Sequence, residues 1–232
     1  MDIIKVSNVV KKYSNITILN NISLTIKEGE IIGFIGPSGS GKTTLVKSIM
    51  GMEKIDSGHI ELLDKEMPNL QVLNQIGYMA QSDALYEELT GKENLEFFSK
   101  LFKLSKIQIK ERIEYTSRIV NLENELSKKV SNYSGGMKRR LSLAISLIQN
   151  PKILILDEPT VGIDPKLRFS IWNELKSLKA QGKTIIITTH VMDEAEKCDK
   201  LALIREGVII ASGSVEELKQ RFNVNTIEEI FL

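Results

Sequence analysis

Cysteine is nearly missing from this chain. Cys198 is the only one in 232 residues, so no disulfide framework holds the fold together. It has no partner cysteine and no metal-ligand cluster beside it, and is expected to be inert. Histidine occurs twice and tryptophan once. No apolar run approaches the ~20 residues that a membrane-spanning helix needs. The opening MDIIKVSNVVKKYSN lacks the apolar stretch of a secretory signal. Net charge is also scarce: 31 Lys and Arg stand against 30 Asp and Glu. That balance gives no bulk argument for a nucleic-acid partner. With 42% hydrophobic and 26% charged residues, disorder and low-complexity structure are excluded. What remains is a soluble, intracellular chain of one or two compact domains with a real apolar core, free to dock on a membrane protein.

Three short apolar runs stand out: IIGFIG at 31–36, ILILD at 153–157 and TIIITT at 184–189. Unbroken runs of this length suit strands buried on both faces, as in a parallel sheet covered by helices. Before the first run, IIKVSNVV and ITILNNISLTI mix apolar and polar residues with β-branched enrichment, and read as strands. HIELL and IGYMAQ read as further short strands, and LALIREGVIIASG as a hairpin turned at Glu206-Gly207. Between Thr90 and about Asn150 helical spacing takes over. Thr90 with Glu93 has capping-box spacing, and Leu95, Phe98 and Phe102 share one helical face. Segments 107–122 and 136–149 are further helix candidates. Leu167, Ile171, Leu175 and Leu178 form the stripe of a long helix, and Ser214 with Glu217 offers another capping box. NTIEEIFL reads as a weak terminal helix. The expected fold is α/β: a P-loop NTPase core with a mostly parallel central sheet, an N-terminal antiparallel β subdomain and a helical insertion. Residues 1–81 and 151–232 form the core of a single 1–232 domain, and 82–150 the insertion.

The strongest chemical signal is Gly36-Pro37-Ser38-Gly39-Ser40-Gly41-Lys42-Thr43, a complete G-x-x-x-x-G-K-[ST] between a buried strand and a helix. Glycines let the backbone curl so that successive N–H groups point inward, and those donors with the helix N-terminus cradle phosphate oxygens. Lys42 reaches the β- and γ-phosphates of a bound nucleotide. The Thr43 hydroxyl joins the shell of a Mg²⁺ ion, and Thr44 lies where it touches the α-phosphate. A second signal is the apolar strand that ends in Asp157-Glu158. An Asp at that edge holds Mg²⁺ directly or through water. Glu158, one residue past the strand, faces the γ-phosphate, where a carboxylate orients and deprotonates water. Such a base suits ATP cleavage, and nothing in the sequence supplies a second phosphoryl acceptor. Ser134-Gly135-Gly136 ahead of a helix makes another anion site. One nucleotide needs only one such loop, so the second suggests a nucleotide held between two chains; a plain helix cap is the alternative.

Tyr133-Ser134-Gly135-Gly136-Met137-Lys138-Arg139-Arg140, taken with the loop and the acidic pair in this order, resembles the ATP-binding subunits of ABC transporters over nearly the whole chain. Tyr133 and Met137 stand where that family usually has Leu and Gln. The YSGGMKRR form is similar to the subunits of ABC-2-type drug, antibiotic, sodium and lipid exporters, which work with separate permeases. The resemblance implies a head-to-tail dimer that sandwiches two ATP molecules. It implies that Ser134 and Gly136, with Gly135 between them, contact the γ-phosphate on the partner's loop. It implies further that Gln81 senses Mg²⁺ and the attacking water, and that His190 contacts the γ-phosphate. Asp164 then lies between the two sites, Tyr13 stacks on adenine, and a groove near 82–105 receives a coupling helix of the permease. The cofactors implied are ATP and Mg²⁺. The place implied is the cytoplasmic face of the membrane, reached through the permease.

Without the resemblance, Gln81 is a polar strand end, Tyr13 a strand aromatic, and His190 a residue at the carboxyl edge of a sheet, where ligands bind in such folds. His59 reads as structural or surface, Trp172 as packing, Lys138-Arg139-Arg140 as a solvated helix face, and Asp193, Glu194 and Glu196 as the favourable first turns of a helix. Rival functions are a soluble ATPase of the same superfamily acting on nucleic acid or ribosomes, an importer subunit, a nucleotide kinase, and a non-enzymatic interaction domain. The insertion is short and lacks sustained heptads, and the kinase gives no reason for the SGG turn. The intact Lys42, Asp157, Glu158 and His190 argue against a domain without activity.

Overall fold

The computed structural model describes residues 1–82 and 84–231. Strand β1 (Asp2–Tyr13) turns at Ser14 into β2 (Ile16–Lys27), with Ile4 opposite Ile26 and Tyr13 opposite Ile16. Register shifts between Val6 and Val9 go with left-handed Asn8, a residue type that tolerates that conformation. β3 (Ile31–Ile35) is buried at all five positions. Full burial of Ile31, Ile32, Phe34 and Ile35 contributes about 1.5–3 kcal/mol each, which is why this strand is apolar on both faces. Helix α1 (Lys42–Ile49) follows the glycine loop and is stopped by Gly51 at φ 68°. β4 (Ser57–Leu62) pairs antiparallel with β1, β5 (Lys65–Glu66) pairs with β4, and α2 (Leu70–Leu73) is a single turn.

In the middle of the chain, β6 (Ile76–Met79) runs parallel to β7 (Ile153–Asp157), Ile76 beside Ile153 and Met79 beside Leu156. Between them lie α3 (Gly91–Leu101), α4 (Lys106–Ile119) and α5 (Gly135–Leu147). The expected box at Thr90 and Glu93 is formed, and a second one joins Ser105 to Gln108. α6 (Pro165–Ala180) buries the stripe Leu167, Ile171, Leu175 and Leu178 together with Trp172. Its start combines an Asp164 cap with Pro165 at the first helical position.

β8 (Thr184–Thr189) is buried at all six positions and runs parallel to β3. A single turn, α7 (Met192–Ala195), leads to β9 (Lys200–Arg205), parallel to β3 on its other side. β10 (Val208–Gly213) returns antiparallel through the Glu206-Gly207 turn, and α8 (Val215–Phe222) starts at the Ser214–Glu217 box. The terminal segment forms a 3₁₀ turn (Glu228–Phe231) rather than an α-helix.

Two compact units result: Met1–Leu73 with Thr184–Leu232, and Asn74–Lys183. The helices of the insertion fall in the second unit together with β6, β7 and α6. The architecture is the expected P-loop α/β fold, with an antiparallel N-terminal sheet, a mostly parallel second sheet and a helical subdomain. Among the described residues no helix is long and apolar enough to cross a membrane.

Two close fits fix local packing. A Cβ on Gly33 of β3 would stand 3.0 Å from Cys198 Sγ, so the missing side chain makes room for the thiol. Cys198 is buried, and its thiol is pushed far up, first by that burial and then by Glu194 and Asp199. A Cβ on Gly91 would stand 2.2 Å from the Tyr133 hydroxyl, which donates to the Glu125 carbonyl at 2.8 Å. Gly91→Ala is therefore expected to destabilise the chain by about 1–3 kcal/mol through overpacking. Adding Tyr133→Phe removes the clashing oxygen and is expected to recover part of that loss. Denaturant unfolding of the single and double variants checks it; an unchanged midpoint for Gly91→Ala contradicts it.

Candidate functional site

The glycine loop is built by the first unit alone. A Cβ on Gly36 would fall 2.1 Å from the Ile204 carbonyl oxygen of β9 and 2.8 Å from Ser40 Oγ, so only glycine fits. Gly41 holds φ 104° at the start of α1, a conformation that disfavours a side chain. Ser40 N–H donates to the Pro37 carbonyl at 3.2 Å, and Gly207 N–H to that of Ser40 at 3.1 Å, so the β9–β10 turn supports the loop from behind. Lys42 is buried, and its ammonium donates to the carbonyls of Gly36 at 2.8 Å and Pro37 at 2.9 Å. It is drawn across the loop it belongs to. Ser38 and Gly39 are exposed on the open side, and nothing lies within 4 Å of where a Gly39 Cβ would be. Ser40 Oγ is buried without a hydrogen-bond partner. A buried orphan hydroxyl in a glycine loop at a helix start fits a phosphate ligand. Thr43 and Thr44 are half-buried in the first turn of α1.

Tyr13 closes β1 with its ring 43% exposed. The Lys11 ammonium lies 4.8 Å from the ring centroid. The phenol is raised first by partial burial and then by Glu53, while a hydrogen bond with Thr44 lowers it. The candidate adenine-stacking ring is thereby tied to the same helix turn that carries the loop threonines.

His190 is exposed immediately after β8. The turn that carries it is pinned from inside. Thr189 Oγ1 donates to the Glu194 carboxylate at 2.7 Å and accepts from Val191 N–H at 3.0 Å. Asp193 and Glu194 lie in the first turn of α7, as the sequence suggested, but Glu194 is 1% exposed and turned inward as an acceptor.

The second unit builds the carboxylate edge. Asp157, the last residue of β7, is 1% exposed. Glu158 follows in the left-handed region at φ 52°, a conformation its residue type does not favour. Gln81 Nε2 donates to Glu158 Oε2 at 3.4 Å. Tyr78, beside Asp157 on β6, has its phenol pushed up to about 12, first by burial and then by the Asp157 charge, with Arg139 opposing.

Arg139 was missed in the sequence. The basic run Lys138-Arg139-Arg140, read as a solvated face, is so only in part: Lys138 and Arg140 are half-buried, and Arg139 is buried. Arg139 is 7% exposed. Its Nη1 donates to the carbonyls of Ala80 at 2.7 Å and Gln81 at 3.0 Å, and its Nη2 to those of Asp157 and, at 2.7 Å, Glu158. Lys138 bonds Glu87 at 2.5 Å, and Arg140 bonds the carbonyls of Val120 at 3.2 Å and Asn121 at 2.9 Å. The one usable signal was spacing: Arg139 falls four and eight residues before Leu143 and Leu147, on the buried side of α5.

Ser134 caps α5 and accepts from Met137 N–H at 3.2 Å. A Cβ on Gly135 would meet nothing within 4 Å, while one on Gly136 would lie 3.2 Å from the Gly162 carbonyl. Asp164 likewise accepts from Leu167 N–H at 3.0 Å at the start of α6. The structure thus gathers Gln81, Asp157 and Glu158 around Arg139, and gives Ser134 and Asp164 local duties as caps. Among the described residues no group of three His, Cys, Asp or Glu could hold a metal. The Asp157 carboxylate in the second unit and the Thr43 hydroxyl in the first are each hard oxygen groups of the kind that suits Mg²⁺.

A glycine cradle on a helix start, a lysine drawn over it, and a buried strand ending in an acidic pair define a P-loop nucleotide-binding protein. Its fold is that of an ATP-hydrolysing enzyme. The model of the family described as "ABC transporter" matches residues 19–161, and the chain belongs to that family. It is 44% identical over 213 residues to the Nod factor export ATP-binding protein I of Rhizobium meliloti (strain 1021), covering 90% of this chain and 64% of that protein. The chain thus spans just under two thirds of that relative's length. A solved structure of the ATP binding subunit of an ABC transporter superposes with TM-score 0.91 at 26% identity, over 99% of this chain and 98% of that one. A dimeric structure of an ATP-binding cassette in a post-hydrolysis state, bound to ADP and Pi, gives TM-score 0.85 at 29% identity, over 91% and 98%.

Proposed function

We propose that this chain binds ATP with Mg²⁺ and hydrolyses it as one half of a head-to-tail homodimer, and so powers export through a separate membrane permease. The observation that carries this reading is the Gln81–Glu158 pair just past the ends of β6 and β7, an amide bonded to a carboxylate. Glu158 takes a proton from water as its oxygen attacks the γ-phosphorus, and the bond to the β–γ bridging oxygen breaks. Gln81 steadies the water and His190 the γ-end. Lys42 offsets the charge that moves onto the leaving oxygen. Bound Mg²⁺, held by Thr43 and Asp157 with Gln81 near it, would neutralise charge on the β- and γ-oxygens. Gly36, Ser38, Gly39, Ser40, Gly41 and Thr44 bind the phosphate chain and Tyr13 the base.

Ser134, Gly135 and Gly136 act on the partner's ATP, with Asp164 between the two sites. The dimeric neighbour bound to ADP and Pi supports that assembly, and the export role printed for the Rhizobium relative supports the direction and the exporter subclass. Tyr86, 48% exposed, packs edge-on against Phe97 with centroids 4.8 Å apart, an aromatic face within the 82–105 stretch suited to a permease helix. The chain would then sit at the cytoplasmic face of the membrane, with no nucleic-acid partner.

Complementation tests the shared sites. Lys42→Ala and Ser134→Arg each disable both sites of their own homodimer. Mixed in equal amounts, they form heterodimers with one intact site. The mixture is expected to regain up to about a quarter of the parental ATPase rate, since half the dimers are mixed and half their sites are whole. No recovery would rule out sites built from two chains.

A further inference from the structure

We propose that Arg139 is a positioning residue for hydrolysis: its guanidinium fork fixes the backbone that carries Gln81 and Glu158, and ties both to the helix that begins with Ser134. The proposal rests on the reading above, in which Glu158 and Gln81 act on the attacking water.

The geometry is specific to arginine. One prong holds the carbonyls of Ala80 and Gln81, just past β6; the other holds those of Asp157 and Glu158, at the end of β7. β6 and β7 are paired along their length, but their ladder stops at Met79 and Leu156. The two residues that matter for water therefore leave the sheet without ladder bonds between them. A planar fork with donors on both sides can replace the missing bonds, whereas a lysine ammonium offers one point. Glu158 needs such a hold, because its left-handed backbone is a conformation that surrounding contacts must enforce. The separation of its carboxylate from Gln81, 3.4 Å, is then set through the two carbonyls the fork spans.

Arg139 also lies in α5, whose cap is Ser134 and whose first turn bears Gly135 and Gly136. In the proposed dimer those residues serve the partner's nucleotide. A shift of α5 when that nucleotide binds or leaves is carried by the fork to Gln81 and Glu158, which serve the chain's own nucleotide. Arg139 thus links the two half-sites that one chain contributes.

The test uses the full chain with Arg139→Lys and Arg139→Gln, measured for steady-state ATPase, ATP affinity and thermal unfolding, with Glu158→Gln in parallel. Expected is a fall in kcat of about 10–100-fold in both variants, with KM and ATP affinity within about threefold and the melting temperature within a few degrees. A parental kcat in Arg139→Lys overturns the proposal. So does a loss of folding, or of ATP affinity in step with kcat, in both variants, since a purely structural anchor would give that result. If Glu158→Gln turns over at the parental rate, the underlying assignment of Glu158 fails and the proposal with it. If Glu158→Gln is inactive while Arg139→Lys is parental, the fork alone is refuted.

Discussion

Glu158→Gln is expected to bind ATP with parental affinity, lose nearly all turnover and accumulate as a dimer. The substitution keeps size and hydrogen bonding but removes the proton acceptor. A positioned general base contributes about 10²–10⁴ in rate, so kcat is expected to fall by at least two orders of magnitude. The phosphate loop belongs to other residues and remains whole. The bound triphosphate would then stay between the two chains, and the closed form would gain the population that hydrolysis normally drains. Gel filtration with ATP and Mg²⁺ reads the dimer directly, and a phosphate-release assay reads the turnover. A variant that stays monomeric with ATP and hydrolyses at the parental rate would remove Glu158 from the mechanism.

Lys42→Ala is expected to act earlier, at binding. The ammonium already donates to the carbonyls of Gly36 and Pro37, so it is held where loop and phosphates meet. Its loss removes charge-assisted hydrogen bonds to the β- and γ-phosphates, each worth about 1.5–3 kcal/mol. Two such bonds correspond to an affinity loss of about 100-fold or more. Calorimetric or fluorescence titration with ATP measures it. An unchanged affinity would show that the backbone cradle holds the phosphates without the lysine. Circular dichroism on the same sample separates this from unfolding, because removing Lys42 also leaves two loop carbonyls without their donor.

Local features were the ones legible in the sequence. The buried strands β3, β7 and β8 announced themselves as unbroken apolar runs, and the phosphate loop as four fixed positions between strand and helix. The boxes at Thr90–Glu93 and Ser214–Glu217 and the stripe of α6 needed only neighbours a few residues away. Arg139 is the opposite case. Its partners lie 58 and 59 residues upstream and 18 and 19 downstream, and a basic tripeptide does not say which member turns inward. Glu194 was legible only as a charge in the first turn of a helix; its inward bond to Thr189 depends on how β8 turns into α7, which the residue types do not announce. The left-handed backbone of Glu158 left no trace either, since its residue type does not favour that conformation.

The thiol sealed behind Gly33 makes this chain a convenient host for spectroscopy. Cys198 is buried and its ionisation is pushed far up, so alkylating dyes and spin labels will pass it by in the folded protein. A cysteine introduced at an exposed position becomes the sole point of attachment without first deleting the native one. Paired probes on two copies can then report in real time how the protomers approach and part through each round of nucleotide exchange.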